Sequence, residues 1–178
     1  MDEQRRSELD AYYTPEGIAI DMAMILNPRP GSRILDPMCG NGMLLRTLRD
    51  MYPDRDLKFT GMDIDIEAIS ECKKWARQFD TFFDRDIQDI KYGERYACNL
   101  IIMNPCFHYG PRFRAMEYAF QTFDKGIMYV PFKADNPMIN LLECDRFEMQ
   151  AYDKDYLEGV FDCEIKYRQG YIYWEKAK

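Results

Sequence analysis

Apolar positions along this chain recur with two periods, and the switches between them mark its elements. Glu16 to Leu26 reads as an amphipathic helix. It is begun by Thr14-Pro15, a cap residue followed by proline at the first helical position, and stopped by Asn27-Pro28-Arg29-Pro30. Ser32 to Leu35 is a short apolar strand, and Met43 to Met51 is helical again. Lys58 to Met62 is strand-like, and Ile66 to Phe79 has helical periodicity built from good helix formers. Thr81 to Phe83 reads as a third short strand. Asn99 to Met103 is a fourth, too uniformly apolar for a strand with one wet face. Phe113 to Phe123 is expected as a helix, Ile127 to Phe132 as a strand and Pro137 to Cys144 as a helix. The tail then changes period: Val160 to Arg168 and Tyr171 to Glu175 alternate about Gln169-Gly170, as an antiparallel hairpin does. Alternating strands and helices closed by a hairpin predict a three-layer α/β domain, with a mostly parallel sheet and an antiparallel edge.

Composition adds bounds to that picture. The 178 residues, 47% of them hydrophobic, suit a single folded domain over 1–178 with no separate recognition domain. Cys39, Cys72, Cys98, Cys106, Cys144 and Cys163 form no CxxC pair, and one histidine is too few to complete a zinc site, so reduced thiols and no metal are expected. No apolar run approaches the roughly 20 residues of a spanning helix, and Met1 leads into a charged segment; a cytoplasmic protein without a membrane partner is expected. The net charge of −7 argues against nucleic acid until its distribution is considered. Residues 135–164 hold nine acids against Arg146 and Lys154, a net of −7, which leaves 22 acids and 22 bases in the remainder. Residues 95–116 contain no acid at all.

Four places put polar or glycine residues where strands end, and ligands of open α/β sheets sit beyond those ends. Asp36-Pro-Met-Cys39-Gly40-Asn-Gly42 offers two glycines for close backbone approach and the N–H groups of the next helix. Asp63-Ile64-Asp65 offers a carboxylate for two ribose hydroxyls and an apolar side chain for a base, with Asp65 the better candidate to cap the following helix. Asp86-Ile87 is placed to meet an exocyclic amine, with Asp84 and Asp89 as rivals. Asn104-Pro105-Cys106-Phe107 follows the fourth strand.

Taken in this order, the four resemble the class I S-adenosylmethionine-dependent methyltransferases, specifically the amino-methyltransferases with an Asn-Pro-Pro-Tyr/Phe motif. The match runs over residues 12–107. Tyr12-Tyr13-Thr14-Pro15 with Ile18-Ala19 resembles the N-terminal motif of adenine-N6 DNA methyltransferases whose cofactor motifs precede the catalytic one. The resemblance implies a Rossmann-like fold with S-adenosyl-L-methionine as cofactor. It implies cofactor contacts from Tyr13, Thr14, Pro15, Asp36, Cys39, Gly40, Gly42, Asp63, Ile64, Asp86, Ile87 and Asn104. Asn104, Pro105 and Phe107 become the catalytic loop. Its acceptors draw an amine lone pair toward the methyl group while the ring stacks on the substrate.

Tyr12, His108, Arg112 and Arg114 are candidate substrate contacts, since rings interleaved with guanidiniums suit bases and phosphates. The expected substrate is adenine-N6 of nucleic acid, DNA ahead of RNA, with a protein subunit as a possible source of target recognition. Small rRNA adenine methyltransferases share the motif order; glutamine-N5 protein methyltransferases do so less closely, and an inactive interaction subunit is a further alternative. Cys106 stands where that family has its second proline. It reads either as a small loop residue or, as in cytosine-C5 methyltransferases with a Pro-Cys pair, as a nucleophile.

Overall fold

The structure, a computed structural model, describes residues 13–106, 109–129, 163–168 and 171–176. Its elements run α1 (Glu16–Leu26), β1 (Arg33–Asp36), α2 (Met43–Met51), β2 (Lys58–Asp63), α3 (Ile66–Trp75), β3 (Thr81–Asp84), β4 (Leu100–Met103), α4 (Tyr109–Thr122), β5 (Lys125–Tyr129), β6 (Cys163–Arg168) and β7 (Tyr171–Lys176). Single 3-10 turns at Pro53–Arg55 and Ile87–Asp89 were not foreshadowed by the periodicity.

The strands form one sheet in the order β3-β2-β1-β4-β5-β7-β6. β1 to β5 are parallel, and the expected hairpin joins antiparallel, β7 against β5 and β6 against β7. The uniformly apolar β4 is explained by burial on both faces. Leu100 and Ile102 pack with Ala19, Met22 and Leu26 of α1, Leu45 and Leu48 of α2 and Ile69 of α3. Ile101 and Met103 pack on the other side with Ala115, Met116, Ala119 and Phe120 of α4. Full burial of each such side chain contributes about 1.5–3 kcal/mol. Trp174 of β7 is 0% exposed, donates its indole N–H to the Phe123 carbonyl at 3.1 Å, and lies where a side chain at Gly126 would be. That fit fixes the hairpin on the sheet edge.

Four sequence expectations need correction. Thr14 does not cap α1: Pro15 occupies the boundary and no side chain caps the first turn. The third helix stops at Trp75 rather than Phe79. Its chain leaves at Ala76 and turns so that Asp80 is buried beneath it, accepting N–H bonds from Phe59 at 3.0 Å and Arg77 at 2.7 Å and pairing with Arg49 at 2.8 Å. That tertiary anchor outweighs the helix propensity of residues 76–79. The last helix of the parallel half starts at Tyr109, ahead of the expected Phe113, and β5 starts at Lys125, ahead of the expected Ile127, with residues 130–132 outside the described residues. The helix expected over 137–144 lies outside the described residues. Among those described, no helix is long and apolar enough to cross a membrane, and no cluster of His, Cys, Asp or Glu could hold a metal ion.

Candidate functional site

Chain order in the sheet reverses between β1 and β4, the neighbours that pair through Ile34 with Leu100 and Leu35 with Ile101. Such a reversal splays the loops beyond the strands and opens a crevice at their carboxyl ends. Asp36 ends β1, Asp63 ends β2 on its other side, and Asn104 follows β4. The sheet therefore brings three of the four motif sites to one end of neighbouring strands.

The loop after β1 is held from below and from the side. The Cys39 N–H donates to the Met62 carbonyl at 2.7 Å, and the Gly40 N–H donates to Asp63 Oδ2 at 2.7 Å. The other Asp63 oxygen accepts the Asp65 N–H at 2.9 Å, while Asp65 itself caps α3 through the Glu67 N–H, as expected from the sequence. Gly42 has φ +80°, and a Cβ there would lie 2.4 Å from the Trp75 ring and 2.9 Å from Cys72 Sγ. The turn thus demands glycine twice over, by conformation and by space.

Asp36 is 1% exposed and accepts the Met38 N–H at 3.2 Å. Burial pushes its carboxyl well above the usual range; the Met38 bond opposes this, and the nearby Asp63 charge adds to it. Burial also raises Asp63, against the N–H bonds from Asp65 and Gly40. A buried and a half-buried carboxyl that each disfavour their own ionisation make a site that gains from a cationic ligand. The sulfonium and ammonium of S-adenosylmethionine are such charges, so the residues present fit that group.

Thiols support the same loop. Cys39 and Cys72 both direct Sγ at the Gly40 carbonyl, at 3.6 and 3.4 Å. Cys39 is pushed well above an ordinary thiol, first by its hydrogen bond with Cys72 and then by burial, which marks a protonated structural thiol. Cys39 was expected as a cofactor contact. Cys72 and Trp75, which shape the floor of the loop, were not anticipated; their only sequence signal is a three-residue spacing on one face of α3.

The N-terminal segment reaches both loops. The Tyr13 ring lies against Gly40, where an added Cβ would be 3.3 Å from it, and the Asn104 side-chain amide donates from Nδ2 to Thr14 Oγ1 at 3.0 Å. Pro15 is exposed, Pro105 is buried, and Cys106 is partly buried and in no disulfide. Ile64 is 55% exposed at the end of β2, an apolar surface without a core role.

Other expected site residues stand differently. Ile87 is buried in the core beside Met62, and Asp86 turns its carboxylate onto the Gln88 N–H at 2.9 Å. Arg114 donates to the Ile90 carbonyl and stacks on the Tyr92 ring at 3.7 Å, so its guanidinium braces the 90–92 loop. Tyr12, Phe107 and His108 lie outside the described residues, as does the side chain of Arg112.

Comparison with known proteins bears on the fold and the family. No curated protein sequence matches the chain. Its fold is similar to that of a proposed RNA methyltransferase from Pyrococcus horikoshii, with a TM-score of 0.66 at 16% identity over 96% of this chain and 89% of the other. It is also similar to TrmN from Thermus thermophilus, with a TM-score of 0.61 at 14% identity, covering 97% of this chain and 53% of TrmN. A third similarity is to the plantazolicin methyltransferase BpumL in complex with SAH, with a TM-score of 0.51 at 21% identity over 72% of this chain and 52% of that one. Residues 34–125, more than half of the chain, match the family described as a methyltransferase domain. The chain belongs to that methyltransferase domain family, and its cofactor is S-adenosylmethionine.

Proposed function

We propose that the protein methylates an exocyclic amine of a nucleic-acid base, adenine-N6, using the crevice between β1 and β4. The observation that carries this reading is the Asn104 amide at the end of β4, beside the cofactor loop and with its Nδ2 end already engaged by Thr14. In that orientation its Oδ1 can accept a hydrogen from an N–H donor.

When bound, the sulfonium supplies the electrophilic methyl group. The chain's own residues do the rest by placement. Asp63, with one N–H on each oxygen, keeps lone pairs for ribose hydroxyls, and the exposed Ile64 offers an apolar face to an adenine ring. Asp86 is within the same row of strand ends and can accept an amine hydrogen. Tyr13 covers the loop at Gly40, and Pro15 follows it in the same segment. An adenine amine is a weak nucleophile because its lone pair is delocalised into the ring. Acceptance of its hydrogens by Asn104 Oδ1 and the Pro105 carbonyl draws that lone pair out of the ring plane, and no strong base is required. Phe107 stacks on the base, and Tyr12, His108 and Arg112 lie in sequence where they can follow the strand or the flipped nucleotide. A base within a duplex must be extruded first, at a cost of a few kcal/mol.

DNA is the polymer favoured by the Tyr12-Tyr13-Thr14-Pro15 motif. RNA is the second reading, favoured by the similarity to the Pyrococcus protein over nearly the whole of both chains. Incubation with S-adenosylmethionine labelled on its methyl group and separate pools of DNA, RNA and protein decides among them. Label is expected in nucleic acid, and Asn104→Ala should lower transfer about 10²–10³-fold, as loss of one preorganised acceptor does. Label in protein alone overturns the proposal.

A further inference from the structure

The segment before α1 touches both halves of the crevice, and its two contacts differ in kind. Tyr13 lays a ring on Gly40 of the cofactor loop, whereas Thr14 meets Asn104 of the β4 loop through one hydrogen bond across 90 residues of sequence. Thr14 is 9% exposed, and its hydroxyl takes no part in capping the helix that follows. A buried hydroxyl released from the role its sequence position suggests, and spent on a side-chain amide, needs a reason.

An asparagine side-chain amide turns about a broad χ2 unless a partner holds it. We infer that Thr14 is a positioning residue: its hydroxyl accepts from Nδ2 of Asn104 and ties that side-chain amide to the segment before α1, so that Asn104 keeps one orientation at the crevice. Tyr13 beside it fixes the height of the same segment on the cofactor loop, which links donor and acceptor placement through two adjacent residues. The inference rests on the proposed amine transfer for its consequence and on the geometry alone for its existence, so the two are tested separately.

Thr14→Val keeps the branched shape and removes the hydroxyl; Thr14→Ser keeps the hydroxyl. In ¹⁵N-resolved spectra of the cofactor-free protein, the Asn104 side-chain amide is identified by its loss in Asn104→Ala. The pair should show slowed hydrogen exchange in wild type and Thr14→Ser, and lose that protection in Thr14→Val. In the transfer assay, Thr14→Val should lower kcat about 10-fold with KM for S-adenosylmethionine changed less than about 2-fold, the rate effect of one lost hydrogen bond, and Thr14→Ser should recover most of it. An unchanged Asn104 amide in Thr14→Val overturns the inference, as does a loss confined to cofactor KM. A wild type that transfers to no amine contradicts the proposed function, and the spectra still decide the role of Thr14.

Discussion

Asp36 and Thr14 show how single residues carry this site, and how differently each could be read in advance. Asp36 stands at the end of an apolar strand and before a glycine turn, and that position alone makes it a candidate ligand-loop acid. Its burial and its proximity to Asp63 were not legible, because they depend on the parallel register that sets Asp36 opposite Gly61. A carboxyl raised in the folded state contributes its full share of stability below the unfolded pKa, near about pH 4, and loses it as pH rises toward the folded value. Asp36→Asn removes that loss while keeping an oxygen for the Met38 N–H. The difference in melting temperature between Asp36→Asn and wild type should be near zero at pH 4 and grow in favour of the variant as pH rises. S-adenosylmethionine affinity, measured by calorimetry, should fall in the same variant. Thr14 was read as a helix cap because Thr-Pro so often precedes a helix; its partner lies 90 positions away, and no local pattern reports such a bond.

At the scale of elements, the parallel strands and most helices were legible because their apolar periods are strong and their stops are marked by Asn-Pro, Gly and Asp. α1 and α2 match their expected bounds, and the hairpin matches its turn. The failures lie where a tertiary contact, not a local preference, ends an element. α3 stops at Trp75, whose ring sits over Gly42 and edge-on to Phe82 at 5.2 Å, and the chain then dives to Asp80. Arg49 and Asp80 have side chains 9% and 1% exposed, and the guanidinium also lies 4.4 Å from the Phe59 ring centre. Removing one member of such a pair strands a buried charge. Asp80→Ala should therefore destabilise the protein by about 3–5 kcal/mol in denaturant unfolding, well beyond the loss of a surface ion pair. Since Asp80 also ties α3 to β2, the variant should weaken cofactor binding by loosening the floor beneath Gly42.

For the molecule as a whole, function follows from the strand order. Reversal between β1 and β4 places the glycine turn after β1 beside the Asn104 amide, and the sheet carries Asp63 and Asp84 outward along the same edge. Motif order alone made this legible: four weak signals at strand ends became specific only when taken in sequence. What could not be read was which of the candidate side chains turn toward the crevice. Ile87 and Arg114 show this, one consumed by the core and the other by the 90–92 loop. The acidic stretch expected to face away from phosphate, 135–164, lies largely outside the described residues. The central claim, methyl transfer to an amine of a base beside Asn104, is tested most directly by mass spectrometry of nucleosides. DNA and RNA incubated with the protein and S-adenosylmethionine are digested, and their adenosines compared with those from Asn104→Ala. The account predicts N6-methylated adenine nucleosides with wild type and near background with the variant. Methylation found only on a ring carbon, or methylation unaffected by Asn104→Ala, would contradict it.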